Sequence, residues 1–370
     1  MLRKNLEESN NVKTVVLLVT NACNLKCTYC YENNKCSYYM SEETMKAIVE
    51  TELTADNGFD EITFNVMGGE PFLAFNLIKS LMAYLSSKDW PKTWYISLCT
   101  NGTLVHGEIK DFLLKHKEKI ALSLSYDGTP ASQDINRSCS SKSIDLDYFA
   151  KHFPFVKMTI SHETLPHVAE GVIFLQEKGF LVAANLALGI DWTDEGNVRC
   201  FVEQLSKLTE YYLEHPGLRQ CSLLDMGIET LNPLKEKVDK YCGAGSKMIC
   251  YDSDGQSYPC HMFAPLSIGK EKAKQSRNLT FDQHIDYNML NEECRRCPVI
   301  QLCPTCEGMN FDARGNVFSR DRVYCKLIKI QILANSVFKY RQYSTGQLQL
   351  SEEEEYRLLN NIRIIQTLSI

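Results

Sequence analysis

The amino-acid sequence predicts an α/β fold, a partial (β/α)6 barrel followed by a small cysteine-rich domain and C-terminal helices. Three observations predict it. Strand-like and helix-like segments alternate through the first two-thirds of the chain. Polar motifs containing Gly, Asn or Asp recur at the ends of successive strands. Cysteines gather in two groups, one near the N-terminus and one far downstream. Alternation of this kind implies a parallel sheet with right-handed crossovers. Six such units make a partial TIM-like barrel, in which chemistry sits at the C-terminal strand ends. The expected boundaries are 1–235 for the barrel, 236–330 for the cysteine-rich domain and 331–370 for the helical tail.

The elements follow in order. TVVLLVT (14–20) reads as a buried strand, and Ser41 as the N-cap of a helix over EETMKAIVETEL. EITFNVM (61–67) is the second strand, with a helix near LIKSLMAYLSS. WYISLCT (94–100) is the third, followed by the helix EIKDFLLKHK. IALSLSYDG (120–128) is the fourth. VKMTIS (156–161) and LVAANLALGID (181–191) are strands five and six, separated by the helical HVAEGVIFLQEKG. From about 193 to 240 the chain reads as helical and polar. From about 242 to 325 periodicity fades and cysteines dominate, as expected of a domain folded around metal. Two helices close the chain, KLIKIQILANSVFKYRQY and SEEEEYRLLNNIRIIQTL, the second with an acidic start that suits a helix N-terminus. They dock on the body or form a dimer interface.

Composition narrows the classes. The chain has 370 residues, enough for one large or two moderate domains. Hydrophobic residues at 44% and charged residues at 23% describe an ordinary globular protein. No apolar run approaches the roughly 18 residues of a membrane span, and MLRKNLEESNNVKT has no apolar core of a secretory signal. The expectation is a cytoplasmic protein with no membrane partner. A net charge of −6 gives no footprint for nucleic acid. Sixteen cysteines without a signal peptide argue for metal binding over disulfides.

Cysteine spacing carries the chemistry. Cys23, Cys27 and Cys30 form C-x3-C-x2-C in TNACNLKCTYCYENN, just after strand one. Three thiolates at this spacing can cap three irons of a [4Fe–4S] cube and leave the fourth open to bind a small molecule. Gly68-Gly69-Glu70-Pro71, Thr100-Asn101-Gly102-Thr103 and Ser125-Tyr126-Asp127-Gly128 follow strands two, three and four. Each alone reads equally as turn chemistry. Four strand-end motifs in register, one of them the triplet, point to a site. Downstream, C-x12-G-x4-C spans Cys242, Gly255 and Cys260, and CRRCPVIQLCPTC gives C-x2-C-x5-C-x2-C at Cys294, Cys297, Cys303 and Cys306, with Cys325 after an x18 gap. Such pairs also suit a zinc ribbon.

With these motifs the chain resembles radical S-adenosylmethionine enzymes that carry a C-terminal SPASM domain, over about residues 14 to 325. The resemblance implies that Cys23, Cys27 and Cys30 hold the cube, with Tyr29 as the aromatic residue before the last cysteine. It implies that the amine and carboxylate of S-adenosylmethionine chelate the open iron. Gly68, Gly69 and Glu70 match the family's GGE, which meets the methionine amine. Paired glycines permit close backbone approach, and a carboxylate suits an ammonium. Asn101, Ser125 and Arg137 occupy positions that resemble ribose- and carboxylate-binding residues. Arg137 suits a carboxylate fork, or is a surface arginine in a solvated ion pair. The resemblance implies that one electron from the reduced cube cleaves the sulfonium and that the resulting 5′-deoxyadenosyl radical abstracts a substrate hydrogen.

The same resemblance implies two auxiliary [4Fe–4S] clusters, three in all. Cys294, Cys297, Cys303 and Cys325 would hold one, and Cys242, Cys260 and Cys306 the other. The family's run usually ends in x3 where this chain has x2. Cys250 completes the inner cluster, or is a small buried hydrophobe and leaves an open iron for a substrate thiolate. Cys36, Cys99, Cys139, Cys200 and Cys221 lie outside the patterns.

Enzymes of this resemblance mostly modify ribosomally made peptides or proteins. The expected substrate is a cysteine-containing precursor peptide, and the expected reaction a thioether between cysteine sulfur and a carbon. The alternatives are oxidation of Cys or Ser to formylglycine, as in anaerobic sulfatase-maturating enzymes, and another radical crosslink or epimerisation. The sulfatase-maturating subfamily shares SDG-x-x-YPC but places an aspartate base where this chain has His261. An imidazole can serve as a base near neutral pH, or the histidine is packing structure. A metal-stabilised binding scaffold is the non-enzymatic reading. The further partners expected are an electron donor of flavodoxin or ferredoxin type and, with thirteen residues before strand one, a separate leader-binding protein.

Overall fold

The computed structural model of the chain describes residues 11–232, 237–281 and 284–370. Its elements are β1 (Val12–Thr20), α1 (Glu42–Thr54), β2 (Glu61–Gly68), α2 (Phe75–Leu85), β3 (Thr93–Thr100), α3 (Glu108–Lys115) and β4 (Ile120–Ser125). Then come α4 (Pro130–Asn136), α5 (Leu146–His152), β5 (Phe155–Ile160), α6 (Val168–Glu177), β6 (Leu181–Leu186) and α7 (Glu195–Glu214). The remainder carries the short strands β7 (Lys237–Asp239), β8 (Met248–Tyr251), β9 (Ser257–Tyr258) and β10 (His284–Asp286), then α8 (Glu307–Arg314), α9 (Cys325–Ser344) and α10 (Glu352–Gln366).

Strand order in the main sheet is β6-β5-β4-β3-β2-β1-β8-β9. Strands one to six therefore succeed one another in chain order, as a (β/α) series requires. The pairs β1–β2, β2–β3 and β3–β4 are parallel. β1 lies between β2 and β8, and Val15 to Val19 are at most 1% exposed. A central parallel strand is covered on both faces, which explains its unbroken apolar run. β2 and β3 alternate instead. Ile62, Phe64, Val66, Ile96 and Leu98 are buried, while Asn65 and Ser97 share the half-buried face, Ser97 Oγ donating to Asn65 Oδ1 at 3.0 Å. Phe64 is fully buried, and truncating such a residue to Ala costs ~3–5 kcal/mol.

Ser41 caps α1, its Oγ accepting from Thr44 N at 3.0 Å. Ser351 and Glu354 form a reciprocal capping box at the start of α10. Several sequence boundaries shift. Strand four ends at Ser125 rather than 128, and strand six at Leu186 rather than 191, because Gly189 adopts φ +79° in a turn. The helix expected across 193–240 is confined to Glu195–Glu214, with Pro216 and Gly217 following its end. β8 lies inside the segment read as irregular and pairs in parallel with β1, from Thr14↔Met248 to Leu17↔Tyr251.

Two compact units divide the chain. The first comprises residues 1–125, 137–155 and 243–282, the second 126–136, 156–242 and 283–370. In the second, Ile228, Leu231, Val299, Leu302, Ile332 and Leu358 pack into one apolar cluster under α9 and α10.

Candidate active site

The first cysteine group sits on the loop that leaves β1. The β1–β2 register shifts between Leu18 and Thr20, next to the last pair of the ladder, Thr20↔Gly68. The next strand end then clasps the loop. Gly69 N donates to Thr20 O at 3.1 Å and Glu70 N to Ala22 O at 2.8 Å. A Cβ on Gly68, at φ +152°, would collide with the Thr20 carbonyl. A Cβ on Gly69 would collide with the Ala22 carbonyl and come within 2.8 Å of Cys23 Cβ. Both glycines are therefore required by close backbone approach.

Two further connections hold the loop. Asn101 Nδ2 donates to Asn24 Oδ1 at 2.9 Å, and Asn24 Nδ2 to Thr103 Oγ1 at 2.8 Å. Asn101 Oδ1 accepts from Thr103 N, so both ends of the Asn101 amide are engaged within the protein. Lys26 N donates to Ser138 Oγ at 2.9 Å. Ser138 and Cys139 adopt φ +55° and +54°, a left-handed conformation that non-glycine residues hold only at an energetic cost. Beside them Arg137 is 7% exposed, its guanidinium carbon 5.4 Å from the centre of the Tyr29 ring. The residue read as a carboxylate fork thus also stacks on the aromatic residue of the cysteine motif.

Glu70 is 1% exposed. Its carboxylate accepts from Thr100 Oγ1 at 2.8 Å, Asn101 N at 2.8 Å and Phe72 N at 3.2 Å. Burial outweighs these donors and pushes its pKa up to about 7. Cys30 Sγ accepts from Lys35 Nζ at 3.1 Å, and Cys23 Sγ from Leu25 N at 3.4 Å. Burial raises the Cys23 thiol, and the Glu32 carboxyl, 8% exposed, is pushed up to about 8 by the same cause. Ser125 Oγ lies 3.3 Å from Cys99 Sγ. Asp127 pins its turn to the start of the next motif, accepting from Thr159 N at 2.8 Å and Asn136 Nδ2 at 3.1 Å.

His261 opens a single helical turn directly after Cys260, and its ring centre is 6.0 Å from that of Tyr31. Cys250, on β8, is fully buried, and Cys260 is 5% exposed. Burial raises the Cys250 thiol well above its usual range, and the neighbouring Cys260 and Asp252 add to this. In the second unit Cys242 is an electrostatic neighbour of Cys306. There Cys294, Cys297, Cys303 and Cys325 form a mutually interacting group, with Cys294 and Cys297 each sensing Cys325 and Cys303 sensing both. Burial raises Cys294, Cys297 and Cys303, while the buried Arg320 pulls each down.

These residues fit iron–sulfur clusters. A cation lies at two of the thiol groups, Lys35 beside Cys30 and Arg320 beside Cys294, Cys297 and Cys303, and would offset charge that thiolate ligation brings. Among the described residues no three His, Cys, Asp or Glu side chains converge on a single ion position. Thiols around a cube need not converge, since each binds its own iron. Sequence reasoning missed Asn24, Thr100, Lys35, Ser138 and Arg320. Thr100 lay in view inside TNGT; for the others no local signal exists, because each acts through a contact made by the fold.

Residues 17–196 match the model of the Radical SAM superfamily. The chain carries a radical SAM domain and is an enzyme. Its cofactors are S-adenosylmethionine and a [4Fe–4S] cluster. It is similar to the cysteine-type anaerobic sulfatase-maturating enzyme of Clostridium perfringens, 25% identical over 77% of this chain and 85% of that protein. It is also similar to the antilisterial bacteriocin subtilosin biosynthesis protein AlbA of Bacillus subtilis, 26% identical over 79% of this chain and 67% of that protein. In fold it resembles the solved structure of anSMEcpe with bound AdoMet, with a TM-score of 0.69 at 20% identity, covering 94% of this chain and 98% of that one. Among the described residues no helix is long and apolar enough to cross a membrane.

Proposed function

We propose that this radical SAM enzyme matures a cysteine-containing precursor peptide by joining cysteine sulfur to a carbon as a thioether. The observation that carries the enzymatic part is the clasped loop. The loop that carries Cys23, Cys27 and Cys30 is clasped at Thr20, Ala22 and Cys23 by Gly68, Gly69 and Glu70, and Arg137 lies over its Tyr29. When bound, S-adenosylmethionine and its cluster supply a 5′-deoxyadenosyl radical. Cys23, Cys27 and Cys30 would hold the cluster. Glu70 would receive the methionine ammonium, Arg137 would face its carboxylate, and Asn101 and Ser125 would border the ribose. The chain's work is to place one substrate C–H and keep others away.

The peptide part rests on relatives whose names describe sulfatase maturation and bacteriocin biosynthesis. Residues 1–235 would form the radical domain and 236–330 the auxiliary domain, with 331–370 as the tail. Two auxiliary [4Fe–4S] clusters are proposed, held by Cys294, Cys297, Cys303 and Cys325 and by Cys242, Cys260 and Cys306. The thioether reading requires the second set to leave a place for the substrate thiolate. The proximity of Cys250 to Cys260 bears on this, because a Cys250 ligand would close that place. Electrons would come from a flavodoxin- or ferredoxin-type donor, and leader recognition from a separate protein.

The test is mass spectrometry on a cysteine-containing candidate precursor incubated anaerobically with reconstituted enzyme. Each thioether removes two hydrogens: the 5′-deoxyadenosyl radical would take one as an atom, and the thiol would lose the other as a proton while the remaining electron would pass to an auxiliary cluster, so the product is about 2 Da lighter per bridge. It resists thiol alkylation and gives no aldehyde. Cys250→Ala leaves crosslinking intact if the place is open. A product that keeps its thiol, or reacts with an aldehyde probe, overturns the thioether. It would favour the formylglycine reading, for which His261, placed directly after Cys260 and against Tyr31, is the base.

A further inference from the structure

Lys35 belongs to none of the motifs, yet the fold aims it at one of their sulfurs. Its Nζ donates to Cys30 Sγ at 3.1 Å, within reach for a contact to sulfur. The backbone on both sides of it is pinned. Asn34 N donates to Leu266 O at 3.1 Å, and the Asn34 amide also reaches Ser267 O at 3.4 Å. Cys36 N donates to Asn21 O at 3.3 Å. These anchors fix where the Lys35 stem begins, and the contact to Cys30 Sγ is where its charge ends. Its side chain is only partly exposed, and its charged neighbours are Cys30, Cys23 and the buried Glu32. A solvated surface lysine would instead point outward on its four-carbon stem.

We propose that Lys35 is a positioning residue for electron entry: its ammonium donates to the Cys30 ligand and raises the reduction potential of the first cluster. The inference rests on the radical-enzyme reading above. Reduction adds one electron from a one-electron donor to the cluster and breaks no bond to the protein. The added negative charge is stabilised by a cation hydrogen-bonded to a ligand sulfur, and such contacts are among the determinants of iron–sulfur potentials. A neutral side chain of the same length removes the charge and leaves the three thiols in place.

The experiment is a redox titration of the anaerobically reconstituted enzyme, with dithionite as reductant and electron paramagnetic resonance as detector. The signal that changes on adding S-adenosylmethionine identifies the first cluster. Lys35→Met should retain iron content and the S-adenosylmethionine-dependent signal. Its reduction equilibrium should fall about tenfold or more, equivalent to 59 mV more negative for a one-electron couple. Lys35→Arg should restore most of the loss, and Lys35→Gln should fall between. An unchanged potential in Lys35→Met with the signal intact overturns the proposal. If the Met variant fails to hold the cluster, Lys35→Gln decides by the same criterion. Loss of the cluster in both makes Lys35 an assembly residue and also overturns it. Loss of the S-adenosylmethionine-dependent signal in the wild type would defeat the underlying reading instead.

Discussion

The two cysteine regions are built in opposite ways. The loop carrying Cys23, Cys27 and Cys30 hangs from the ends of regular strands and is tied by hydrogen bonds from Gly69, Glu70 and Asn101 and by one that Lys26 N donates to Ser138. The region from Cys294 to Cys325 has only a one-turn helix at Glu292–Arg295, a short turn at Ile300–Leu302 and α8. Burial raises the Cys294, Cys297 and Cys303 thiols, and the buried Arg320, which donates from Nη1 to Ile300 O, lies beside them. The difference teaches that the first site is shaped by the fold, whereas the second, on the two-cluster proposal above, would need its metal to complete the fold.

The largest expected effect would break this contrast outright. Cys294→Ala with Cys297→Ala should remove about four irons and make residues 284–325 rapidly cleavable by protease. Cys23→Ala, Cys27→Ala and Cys30→Ala together should remove a similar amount of iron and leave the cleavage pattern unchanged. Equal protease sensitivity in the two variants would mean that both sites depend on metal alike.

A smaller effect sharpens the account of the first site. Gly69→Ala places a Cβ against the Ala22 carbonyl and Cys23, so the loop must move. S-adenosylmethionine affinity, read by equilibrium dialysis, should weaken about tenfold, the equivalent of ~1.4 kcal/mol, with circular dichroism unchanged. Wild-type affinity would show that the cradle is not needed.

The smallest concerns pH. Burial pushes Glu70 up to about 7, above its ordinary value, so its anion forms only as pH rises through that point. An ammonium ligand binds the anion, and affinity for S-adenosylmethionine should therefore rise from about pH 6 to about pH 8. Glu70→Gln should bind weakly with a flat profile. A flat profile in the wild type would remove Glu70 from direct contact.

Much of the barrel was legible because its signals are local. The β1 run and the α1 cap are read from adjacent residues, and the strand-end motifs from their spacing. β8 was not legible, since four residues carry no period and its partner in β1 lies far away in sequence. The overlong sixth strand came from reading apolar residues through Gly189, and the overlong helix from reading past Pro216-Gly217. At the site, residue types named the cysteines and Glu70. They could not reveal that the Asn101 amide is spent on Asn24 and Thr103, or that Lys35 turns toward Cys30. Those facts belong to tertiary contacts.

The central claim is that one chain holds a fold-shaped radical site and a separate metal-built region. Iron and sulfide content of the anaerobically reconstituted protein tests it most directly. The account predicts about twelve irons per chain, falling to about eight when Cys23, Cys27 and Cys30 are all replaced by Ala. About four irons in the wild type, lost entirely in that variant, would contradict it.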